Sequence, residues 1–222
     1  MSDVPRFEPL IDPRPDAQAW PSAIWPPAAD VVLSNEWIEL RPCHVDDAQG
    51  MLHALDHDSV WAHIPGRHVT LAQAAESFEQ KRTMGWFPWT VRTRQPVGDF
   101  AAGDIVGTTS FLEVSPHDAR LEIGSTMYSP SVWASFVNPA TKLLLLQFAF
   151  ESLYMNRVQL KCDVRNVRSQ KAIARLGAQC EGLIRQYQRR ADGTIRDTVL
   201  FSIVDTEWPN IRATLQQRLG SE

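Results

Sequence analysis

Asn166 and Ser169 stand three residues apart where a strand gives way to a helix. Val158, Leu160, Cys162 and Val164 alternate with Arg157, Gln159, Lys161 and Asp163, which predicts a strand over 157–164 with one buried face. Ala172, Ile173 and Leu176 then recur at helical steps, and Gly177 supplies the C-terminal cap, which predicts a helix over 166–176. Polar side chains at such a junction lie beside backbone N–H groups that have no intrahelical partner, a setting suited to an anion or a polar ligand. Other reactive side chains are less organised. Cys43, Cys162 and Cys180 show no metal-ligand spacing, and Cys162 and Cys180 fall in predicted strands as buried small hydrophobes. His63, His68 and His117 sit in predicted loops, and His44, His53 and His57 lie on or beside the first helix without a ligand pattern. No metal is expected.

These residues need a scaffold, and 222 residues that are 44% hydrophobic and 22% charged can bury one full core. A net charge of −4 gives no global attraction for nucleic acid or an anionic membrane. The run 143–150, interrupted by Gln147, is too short to span a bilayer. No basic segment followed by an apolar one opens the chain, so a cytoplasmic protein without a secretory leader is expected. Residues 1–34 hold Pro5, Pro9, Pro13, Pro15, Pro21, Pro26 and Pro27 and form an extended arm, followed by a single domain over 35–222. Trp20 and Trp25 imply that the arm packs either on its own core or on a second subunit of a homodimer.

Periodicity predicts strands at 37–42, 86–94, 104–114, 119–129, 157–164, 179–190 and 196–206, with helices at 44–58, 71–84, 138–154, 166–176 and 207–219. Thr70 caps the second helix, a Pro-Gly break falls in the loop 61–68, and Asp192-Gly193 joins the last two strands as a hairpin. The strand 119–129, the nearly all-apolar helix 138–154 and the strand 157–164 form a βαβ crossover that requires parallel neighbours. The fold class is therefore α/β (α+β), a mixed sheet with helices on both faces.

The element order, the run Leu121-Glu122-Ile123-Gly124, the apolar helix after Pro130 and Asn166-x-x-Ser169 leading to Ala174-Arg175-Leu176-Gly177-Ala178 resemble the GCN5-related N-acetyltransferases. The run Asp192-Gly193-Thr194-Ile195-Arg196-Asp197-Thr198-Val199 is similar to the branch that contains the ribosomal-protein N-terminal acetyltransferases. The resemblance covers about 36–208. It implies a mostly antiparallel sheet whose central parallel pair splays apart, transfer of an acyl group from acetyl-CoA to a primary amine, and no metal. The amine could belong to a protein N-terminus or to a small molecule. By the same resemblance the pantetheine arm bonds backbone at Met127, Tyr128 and Ser129, where the splay leaves amides unpaired. The pyrophosphate lies over Ala134, Ser135, Phe136, Val137 and Asn138, with Lys142 one turn further. Ala134 and Phe136 stand where the family usually has glycine, a departure shared by members that carry Asn-x-x-x-Lys, as Asn138 and Lys142 do here.

Acyl transfer requires a base for the amine and hydrogen-bond donors for the thioester oxygen and the leaving thiolate. Leu121 and Ile123 share one face, so Glu122 faces the other and is the candidate base; the alternative is a salt-bridged strand residue. Glu113 is a more distant candidate. By resemblance Ser169 donates to the leaving sulfur or else only caps its helix, while Asn166 holds pantetheine or else only shapes the turn. The family's frequent tyrosine is replaced by Ile173. Arg168 and Lys171 oppose the dipole of their helix, which suits either a phosphate contact or a solvated face. Trp86, Phe87 and Trp89 are core residues or walls of an acceptor pocket. The departures at Ala134, Phe136 and Ile173 leave a second expectation open, a weakly active or inactive coenzyme- or partner-binding module.

Overall fold

Hydrophobic alternation broken by one apolar helix produces the centre of the sheet. The computed structural model describes residues 8–14, 19–64, 66–190 and 192–220. In chain order its strands are β1 (Leu33–Ser34), β2 (Ile38–Pro42), β3 (Phe87–Thr93), β4 (Ile105–Ser115), β5 (Arg120–Tyr128), β6 (Arg157–Asp163), β7 (Gln179–Arg189) and β8 (Ile195–Val204). The helices are α1 (Ala48–Leu55), α2 (Asp58–Trp61), α3 (Leu71–Thr83), α4 (Val137–Gln147), α5 (Val167–Ala174) and α6 (Trp208–Leu219). They flank one sheet of order β1-β2-β3-β4-β5-β6-β8-β7. Every pairing is antiparallel except β5 with β6, the two strands that flank α4. The mixed, mostly antiparallel sheet with helices on both faces is as expected.

α4 is buried nearly all round, with Leu145 and Leu146 fully inside. Lys142 donates from α4 to Thr126 of β5 at 2.9 Å, so this helix lies on the Thr126 face of the sheet. α1 meets Ile105 of β4 on the opposite face, where Gly50 lets the helix approach: a Cβ there would come within 2.8 Å of the Ile105 side chain. The continuous helix expected over 138–154 instead widens into a π-helical turn at Phe148–Ser152, with Leu153 N donating to Phe148 O at 2.9 Å. That turn sets Phe148 parallel to Phe111, centroids 6.4 Å apart, and edge-on to Trp89.

The first expected helix also divides. A 3₁₀ turn at Val45–Asp47 precedes α1, and α2 follows a break at Asp56. The first break centres on Asp47, which closes a capping box with His44 and also reaches inward to β3. Its carboxylate accepts from His44 N at 2.9 Å, Thr90 Oγ1 at 2.7 Å and Arg92 Nη2 at 2.6 Å. Two further expectations need correction. Cys180 is exposed, because β7 is the edge strand and is open to solvent along nearly its whole length, whereas Cys162 and Cys43 are buried. Val164 lies just past β6 and is 37% exposed.

Trp25 packs on the core of its own chain, edge-on to Phe87 and Phe111 at 6.1 and 6.3 Å, and Ile24 N donates to Leu153 O at 2.9 Å. Trp20 remains half exposed. Pro5, Pro15, Pro65 of the Pro-Gly break and Ala191 of the hairpin turn lie outside the described residues. Among the described residues no helix is long and apolar enough to cross a membrane.

At the far end of β6, Arg190 clasps the buried Asp163 through Nε at 2.6 Å and Nη2 at 2.9 Å, and Arg165 N donates to the same carboxylate at 2.9 Å. The Arg190 guanidinium, aided by the Arg165 amide, holds the Asp163 carboxyl down at about 2. A depressed carboxyl stabilises the fold above its unfolded value and loses that contribution as pH falls through the folded one. The urea stability of wild type should therefore exceed that of Asp163→Asn by a constant margin above about pH 4, and the margin should shrink between about pH 4 and 2. Trp25→Ala, which strips the aromatic contact from Phe87 and Phe111, should cost about 2 kcal/mol in the same assay.

Candidate active site

β5 and β6 begin as neighbours and then part. Their ladder runs Arg120↔Arg157, Leu121↔Val158 and Glu122↔Gln159 and goes no further. Beyond that point β5 stays paired with β4 and β6 with β8, so the inner edges diverge and leave a fork. The break in pairing has a local cause in β5. Ser125 takes φ 48°, and the register with β4 slips between Thr108 and Ser110, a bulge that bends the strand away.

Glu122 sits at the vertex of the fork. Its carboxylate lies along the strand over residue 124, where a Cβ would come within 2.6 Å of Glu122 Oε1, so the glycine there leaves it this position. The side chain is 6% exposed. Lys161 Nζ reaches Glu122 Oε2 at 2.8 Å and Glu113 Oε1 at 2.7 Å, and Gln159 Nε2 donates to the Glu113 carboxylate at 2.9 Å and more weakly to Glu122 at 3.4 Å. Burial pushes the Glu122 carboxyl above the usual carboxylate value, and the Lys161 ion pair pulls partly against it. Lys161 is lowered by burial, but its bonds to Glu113 and Glu122 outweigh that and raise it overall.

The three residues after the fork differ in what they offer. Ser129 N donates to Val106 O at 3.0 Å, so alternation along the strand turns the backbone of Ser129 and Met127 toward β4 and that of Tyr128 toward the fork. Tyr128 O there accepts from the indole Nε1 of Trp133 at 3.1 Å. The loop that follows enters α4 through Ala134, whose φ of 61° is the left-handed region that favours glycine. Ser135 Oγ donates to Val132 O at 2.7 Å and accepts from Val137 N at 3.2 Å, and Phe136 stands at the helix cap. Pro139 has no N–H, so of the first three helical residues Asn138 alone keeps an uncapped amide. Lys142 does not point along this loop. It is buried on Thr126, with its amine lowered to about 7 by burial despite the nearby charge of Glu122.

On the other side of the fork, Asn166 Oδ1 accepts from Ser169 N at 3.0 Å and caps α5. The Ser169 hydroxyl lies against the Cys162 thiol of β6. Arg168 stacks its guanidinium 3.3 Å over the Trp133 ring and so links α5 to the loop before α4. Lys171 is exposed on α5, and Ile173, where the tyrosine would stand, is buried in the core.

A βαβ unit whose parallel strands part around a buried carboxylate, with helix starts on both sides, is matched by known proteins. Residues 38–179 fit the family described as "Acetyltransferase (GNAT) domain". The chain belongs to the GNAT acetyltransferase family. It is 30% identical over 105 residues to the uncharacterized N-acetyltransferase p20 of Bacillus licheniformis, a match covering 47% of this chain and 58% of p20, so it spans little more than half of that relative. A protein from Chromobacterium violaceum ATCC 12472, described as a probable acetyltransferase of the GNAT family, superposes with TM-score 0.80 at 26% identity over 91% of this chain and all of the other. Mycobacterium smegmatis RimJ in complex with CoA-disulfide shares the fold, with TM-score 0.70 at 19% identity over 85% of this chain and 93% of RimJ.

In this GNAT domain, several contacts at the fork were not legible in advance. Lys161 and Gln159 lie on the strand face that alternation marks as polar, which without neighbours reads as a solvated face. The structure roofs that face with β4 and β7 side chains. Trp133 and Arg168 carry no spacing signal, because their contact joins the loop before α4 to α5, 35 residues further along the chain. Ala134 is singled out by the sequence, where the resemblance expects glycine, and its backbone is left-handed. Ala134→Gly should relieve its left-handed backbone and raise stability by about 1 kcal/mol, read as a shift in the urea midpoint with unchanged slope.

Proposed function

We propose that this GNAT protein moves an acetyl or other short acyl group from a coenzyme A thioester to a primary amine by direct attack. The observation that carries this reading is the buried Glu122 carboxylate at the vertex where β5 and β6 part. Glu122 takes the amine proton, directly or through one water, as the C–N bond forms. The C–S bond breaks, and the Ser169 hydroxyl donates a hydrogen bond to the departing thiolate, which leaves as such or takes its proton from solvent. The Tyr128 amide edge facing the fork pairs with pantetheine, with Met127 and Ser129 setting its strand. Residues 134–138 turn beneath the pyrophosphate, and Asn166 and Lys171 border the same coenzyme cleft, while Lys142 is turned inward onto Thr126. The left-handed backbone at Ala134 supports this placement, since it keeps the loop shape that glycine usually supplies. The acceptor is an amine of a protein N-terminus or of a small molecule, in line with the RimJ likeness and the 192–199 run. The domain occupies 35–222, behind the arm 1–34, in a cytoplasmic protein. Pairing of two copies through the arm would show as a doubled solution mass that truncation to residue 35 abolishes.

Titration calorimetry should show acetyl-CoA binding, and a thiol-release assay across an amine panel should show turnover. Binding without release from any amine would instead mark a module that has lost catalysis. Glu122→Gln should lower kcat/KM by about 10²–10³-fold. In wild type the rate should rise with pH as Glu122 loses its proton, with a midpoint above the ordinary carboxylate value, and Glu122→Gln should abolish that limb.

A further inference from the structure

The residue closest to the Glu122 carboxylate is Lys161, whose side chain is only 6% exposed although it is a lysine. Four strands combine to hold it. β4 supplies Glu113 at 2.7 Å, β5 supplies Glu122 at 2.8 Å, and β7 supplies the Tyr187 hydroxyl at 2.8 Å, while β6 carries Lys161 itself. Glu113 reaches this cluster through a distortion. Its neighbour Leu112 pairs with Glu122, so strand alternation would send Glu113 to the opposite face. Instead Glu113 takes φ 48°, and the register with β5 slips between Leu112 and Ser115, which brings its carboxylate round to Lys161. A left-handed backbone at a non-glycine residue costs about 1 kcal/mol or more, and here the contact with Lys161 accompanies it.

We propose that Lys161 is a positioning residue for Glu122: gripped by Glu113 and braced by Tyr187, it holds the buried carboxylate charged and fixed at the vertex of the fork. The proposal rests on the reading of Glu122 as the base. A carboxylate this deeply buried would otherwise keep its proton at neutral pH and could not accept one from an amine. Gln159 assists from the same strand, and Gly124 leaves the space in which the carboxylate lies. The charged or titratable groups facing Glu122 are Lys161 from β6, Glu113 from β4 and Lys142 from α4, with Tyr187 of β7 touching it through Lys161. Glu113 raises the proton affinity of Glu122, so the lysine between them is the group that keeps two neighbouring carboxylates compatible.

The test reads Glu122 directly. Protein labelled with 13C at the glutamate carboxyls is titrated by NMR as wild type, Lys161→Met and Lys161→Arg, with the Glu122 signal assigned by its loss in Glu122→Gln. Lys161→Met should raise the proton affinity of Glu122 roughly tenfold or more, and Lys161→Arg should restore most of the wild-type value. The acid limb of kcat/KM should move upward by the same interval. A Glu122 midpoint unchanged in folded Lys161→Met overturns the proposal and reduces the cluster to a cross-link between strands. A midpoint that moves while the rate limb stays put leaves the clamp standing and removes Glu122 from the base role. Should Lys161→Met fail to fold, Tyr187→Phe on the exposed edge strand loosens the same lysine; it should give a smaller upward shift, and no shift there also overturns the proposal.

Discussion

The central constraint is that β5 and β6 must be parallel neighbours and yet cannot stay paired. α4 carries the chain from the end of β5 to the start of β6, so the strands meet at their beginnings, and the bulge at Ser125 then turns β5 away. Parallel pairing leaves backbone groups facing one another, and separation leaves them facing a gap. Tyr128 shows the tension on a small scale. Its carbonyl has lost a strand partner and takes the Trp133 indole instead. The helix starts, the bulge and the glycine at 124 are all arranged around this parting.

Charge is the second organising force, and it is concentrated inside. Glu122 and Lys161 are each almost fully covered, and Lys142 is buried against Thr126 of β5. Isolated charges in such places would be strongly disfavoured, and pairing offsets only part of that penalty. The two lysines differ accordingly. Lys161, between two carboxylates, is held firmly as a cation, whereas Lys142, bonded to the neutral Thr126 hydroxyl, falls to about 7. Burial acts on both in the same direction, and the number of carboxylates in contact decides the outcome.

Away from the fork the structure spends polar groups on joining elements. Asp47 ties the start of α1 to β3 through Thr90 and Arg92, and Asp163 ties the end of β6 to Arg190 beyond β7. The aromatic group of Trp25, Phe87, Trp89, Phe111 and Phe148 closes the Phe111 face of the sheet and draws the arm into the core. These contacts tie the flanks together, while the centre is left open where β5 and β6 part.

Local pattern in the sequence determined the elements, the parallel crossover and the family. Alternation at Val158, Leu160 and Cys162 and the apolar length of α4 are each written within a few residues, and their order admits few topologies. Asn166 at the start of α5 and Glu122 opposite Leu121 and Ile123 were legible for the same reason. Tertiary structure alone decided that the polar face of β6 is a buried ion-pair network, that Cys180 lies on an open edge, that Trp25 belongs to its own core and that Lys142 turns inward. Each of those depends on which strand or helix covers a given face, and hydrogen bonds such as Lys161 to Glu113 join residues 48 positions apart. Periodicity specifies two faces of an element. Only the packed neighbours specify which of them meets water.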